Sequence, residues 1–68
     1  MSDIDTMKAE IKKLSARAIN MKMNLHDLSE ELPVNWQSIL TVAQDTYDAF
    51  KVLEQARKAL KELEANAS

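Results

Sequence analysis

The sequence predicts an all-α fold: an antiparallel two-helix hairpin (αα-hairpin) that dimerises into a four-helix bundle. Three observations carry this expectation. Read at alternating steps of three and four, Ile4, Met7, Ile11, Leu14, Ala18, Met21, Leu25, Leu28 and Leu32 form an unbroken apolar line. That spacing is the a/d seam of a helix that packs lengthwise against other helices. The 68 residues include no Gly and a single Pro, so turn chemistry is nearly absent. That proline, Pro33, stands near mid-chain and divides two helices of similar length.

Taken in order, Ser2 is placed to cap the first helix, with Asp5 in capping-box register and Asp3 favouring the positive helix end. Helix 1 is expected over about residues 3–32, roughly 45 Å at 1.5 Å per residue. Pro33 ends it, because proline has no N–H to donate and disfavours α geometry in the residue before it. The turn occupies residues 33–35. Asn35 then caps helix 2, and Val34 and Ile39 are spaced for a hydrophobic staple across that cap. Helix 2 is expected over about 36–65, with Asn66, Ala67 and Ser68 frayed. The whole of 1–68 reads as one helical-hairpin domain.

Helix 2 has a broader apolar face than helix 1. One line is Trp36, Ile39, Ala43, Thr46, Phe50 and Leu53; beside it lie Leu40, Tyr47, Ala56, Leu60 and Leu63. A wide stripe suits a helix with two neighbours, one in its own hairpin and one in another chain. Two helices side by side leave about half of each apolar face wet, and a second hairpin covers it. The expected oligomer core is Ile11, Leu14, Met21, Leu25, Leu28, Phe50 and Leu53. Helix 2 keeps apolar positions to spare, which leaves assemblies larger than a dimer open.

The net charge of −2 hides a segregation. Residues 8–22 carry Lys8, Lys12, Lys13, Arg17 and Lys22 against Glu10, whereas residues 26–48 carry Asp27, Glu30, Glu31, Asp45 and Asp48 without Lys or Arg. Loops at opposite ends of the dimer would set each acidic loop end beside the partner's basic end. Exposed pairs contribute only about 0–1 kcal/mol each, so charge biases the orientation without driving assembly.

Composition also narrows the function classes. No Cys is present, so there is neither a disulfide framework nor a thiolate metal site. A Gly-rich phosphate loop, a Ser–His constellation and a carboxylate pair in an evident pocket are all missing, and the expectation is a non-enzyme without cofactor. No apolar run is long enough to span a bilayer, and Met1-Ser2-Asp3-Ile4-Asp5 is acidic where a signal peptide is basic and then apolar. A cytoplasmic location without membrane contact is expected.

Three constellations remain. Trp36 with Asp27, Glu30 and Glu31 forms a candidate protein-docking patch at the loop end, because aromatic anchors are enriched at interfaces. His26 and Glu30, at i and i+4 on one helix face, are candidate ligands for a divalent metal that would need a further donor. The basic residues of helix 1 could serve RNA binding of the Rop type. The acidic isoelectric point and the lack of an aromatic among these residues argue against nucleic acid.

The run Met23-Asn24-Leu25-His26-Asp27-Leu28, with Glu31-Leu32-Pro33, Trp36, Ile39, Ala43 and Thr46-Tyr47, resembles the small Rop-like proteins of nitrogen-fixation gene clusters. The similarity spans about residues 8–63. Family members tend to have Asp where this chain has Asn35, a change in loop charge. The resemblance implies a helical hairpin that assembles further, takes an accessory part in nitrogen fixation and has another protein of that system as partner. It carries over no catalytic residues.

Overall fold

The computed structural model describes residues 3–67, so the expected Ser2 cap lies outside them. Helix α1 spans Asp3–Glu31 and α2 spans Ile39–Ala67, with one 3-10 turn, Trp36–Ser38, leading into α2. Asp3 and Asp5 occupy the first turn of α1, where carboxylates complement the helix dipole. The two helices fold back on each other as a hairpin, and no strand occurs among the described residues. At the open end, α2 stays helical through Ala67, past the point where fraying is expected.

The α1 seam packs as its spacing dictates. Every position from Ile4 to Leu28 on that line is buried or half-buried, and only Leu32, already in the turn, is exposed. On α2 a line of covered positions runs through Val42, Thr46, Ala49, Leu53, Ala56, Leu60 and Leu63, with Ala43 of the expected line half-buried beside it. That line also runs in steps of three and four, but it differs from the expected one by including Val42 and Ala49. Phe50 stays exposed. The reason is size: Ala18, Ala49 and Leu53 form the central cluster, with Ile11, Leu14 and Met21 packed around it. Alanine facing alanine lets two helix axes approach closely, which a phenylalanine at the contact would prevent. Thr46, the polar member of the seam, is satisfied locally. Its hydroxyl donates to the Val42 carbonyl at 2.8 Å, with the Met21 carbonyl of α1 at 3.2 Å as the alternative acceptor.

The connection is tighter than a simple cap. Val34 N–H donates to Glu31 O at 2.9 Å, Trp36 N–H to Pro33 O at 3.3 Å, and Ser38 N–H to Asn35 O at 2.9 Å. The Leu32–Pro33 peptide is cis. Asn35 has φ 62° and ψ 26°, and its side chain makes no capping hydrogen bond to the helix that follows. Instead its Nδ2 donates to Glu31 Oε1 at 3.4 Å. The expected side-chain cap is therefore replaced by a backbone role, since Asn tolerates the left-handed region that most residues avoid. Val34 is 62% exposed, more than a staple would leave it. Asn35→Gly should leave the melting temperature nearly unchanged or raise it. Asn35→Val should lower stability by about 1–2 kcal/mol, because a β-branched residue disfavours positive φ. Thermal melts of the two variants check this.

The hairpin is a rod of 52 × 15 × 13 Å with a radius of gyration of 15.6 Å, against about 11 Å for a compact chain of this length. It exposes 5474 Å², where a compact globule of the same mass would expose about 4300 Å². Among the described residues the buried apolar side chains are Ala18, Leu28, Ala49 and Leu53. No helix among them is long and apolar enough to cross a membrane.

Candidate functional site

The loop end gathers the charged candidates. α1 closes with Asp27, Glu30 and Glu31 and has no basic residue in its last turn. Carboxylates at a helix C-terminus face the negative end of the dipole, an arrangement that disfavours the isolated helix by about 0.3–1 kcal/mol per charge. The helix dipole alone does not favour this placement. His26 Nδ1 lies 3.7 Å from Asp27 Oδ1 and 3.7 Å from Glu30 Oε1, with all three side chains exposed. The three potential donor atoms lie within 4.8 Å of one another. Spacing alone pairs His26 with Glu30; the structure adds Asp27, whose carboxylate bends around to the same imidazole nitrogen. Glu31 is committed differently, since it accepts the Asn35 amide and so braces the turn.

The apolar side of the loop end is equally open. Trp36, in the 3-10 turn, is 60% exposed, Tyr47 is 64% and Leu40 is 82% exposed. Asp45 and Asp48, on the same helix, are exposed. Under the turn lies a depression of about 100 Å³ lined by Leu25, Leu28, Ser29, Leu32 and Ile39. Trp36, Asp27, Glu30 and Glu31, the docking residues expected from the sequence, are all exposed. The signal in Leu40 is easily missed, because it adjoins the seam residue Ile39. One residue further is about 100° around the helix, which turns the side chain outward.

Of the expected oligomer core, Leu28 and Leu53 are already buried within the single chain. Ile11, Leu14, Met21 and Leu25 are half-covered, and Phe50 is exposed. The basic residues of α1 are exposed but do not make one face. Lys13 and Lys22 stand about 180° apart at 3.6 residues per turn. Lys8 pairs with Glu64 of its own chain at 3.8 Å, and Arg17 shares a groove with Asp48 and Val52.

The Rop-like family profile matches residues 2–65. A UPF0437 protein of Azorhizobium caulinodans is 75% identical over the whole chain and 99% of its own length. A UPF0437 protein of Trichormus variabilis is 41% identical over 93% of the chain and 73% of its own length. In Frankia alni a similar protein, encoded in the nifX–nifW intergenic region, is 42% identical over 71% of this chain and 58% of its own length. The NMR structure of a structural-genomics target protein superposes with a TM-score of 0.86 at 43% identity, covering 96% of this chain and 92% of that one. With its two-helix fold and a family match over nearly its full length, the chain belongs to the Rop-like family.

Proposed function

We propose that this protein is a non-enzymatic, cytoplasmic interaction module of the nitrogen-fixation system, working as a homodimeric four-helix bundle in nitrogenase maturation or function. The observation that carries the reading is the loop end. There, Trp36 is exposed in the turn, and the end of α1 carries exposed Asp27, Glu30 and Glu31 where carboxylates disfavour the helix. Groups kept at a cost to the helix are better explained by what they bind than by what they stabilise. The nifX–nifW setting of the Frankia relative supports the biological context. The rod's excess exposed surface and half-covered seam support the dimer, with the acidic and basic ends of the two hairpins adjacent.

The test is capture of partner proteins from nitrogen-fixing cells with the untagged chain. Glu30→Gln with Glu31→Gln removes charge but keeps an acceptor for Asn35. Two exposed pairs at up to about 1 kcal/mol each place the expected loss of partner affinity at up to roughly thirtyfold, with helicity intact. Undiminished capture by this variant and by a folded Trp36→Ala variant would remove the loop end as the docking site.

A second reading has one specific observation in its favour, the grouping of His26, Asp27 and Glu30 around a single point. An imidazole with two carboxylates is a donor set for a divalent transition metal. Zinc titration followed by calorimetry tests it. Binding that disappears in His26→Ala supports the reading, and equal binding by both proteins ends it.

A further inference from the structure

We draw no further inference here: the strongest candidate, the exposed apolar surface patch of Leu40, Tyr47 and Phe50 on α2, carries none because nothing in the structure shows what covers it.

Discussion

Ala18→Asp is expected to leave the chain largely unfolded at 25 °C. Ala18 is fully covered, at the point where α1 meets Ala49 and Leu53 of α2. A carboxylate there would be surrounded by apolar side chains, and burying an unpaired charge costs several kcal/mol. The margin available is small, since a single core in a chain this short seldom supplies more than about 3–5 kcal/mol. Ala16→Asp is the control, because it is exposed on the same helix and carries the same helix-propensity penalty. Circular dichroism at 222 nm should show near-native helicity for the control and little for Ala18→Asp. Equal melting curves would mean that the Ala18–Ala49 contact is not where the helices are held together.

Leu53→Ala should be the second-largest loss, about 2–5 kcal/mol from the removed apolar contacts and the cavity they leave. Leu53 is 4% exposed and belongs to the same central cluster. Phe50→Ala gives the informative comparison. In one hairpin Phe50 is exposed, so the lone chain predicts a small effect. If a second hairpin covers it, its loss should approach that of Leu53→Ala and should weaken as chain concentration rises. Denaturant unfolding at two concentrations separates the two outcomes.

Much of this architecture is legible in the residues. The α1 line from Ile4 to Leu28 could be read because eight consecutive seam positions are apolar, and periodicity is the strongest local signal a helix gives. Pro33 marked the break for an equally local reason. The α2 contact was harder to see, because Trp36, Leu40, Tyr47 and Phe50 supply a second apolar line. Size decides between the lines: Ala49 permits the close approach to Ala18, and the larger side chains do not. Asn35 also misled, since Asn favours both the cap and the left-handed region. The sequence does not say which role a turn needs. At the loop end, His26 and Glu30 were paired by helix spacing, whereas the approach of Asp27 depends on its rotamer, which no spacing rule encodes.

Sedimentation equilibrium at micromolar chain concentration tests most directly whether a second copy covers the half-exposed seam. The expected result is a single species of twice the 7.7 kDa chain mass, dissociating only as helicity is lost. A fully helical 7.7 kDa species with a melting temperature independent of concentration would contradict it, and the bundle with it.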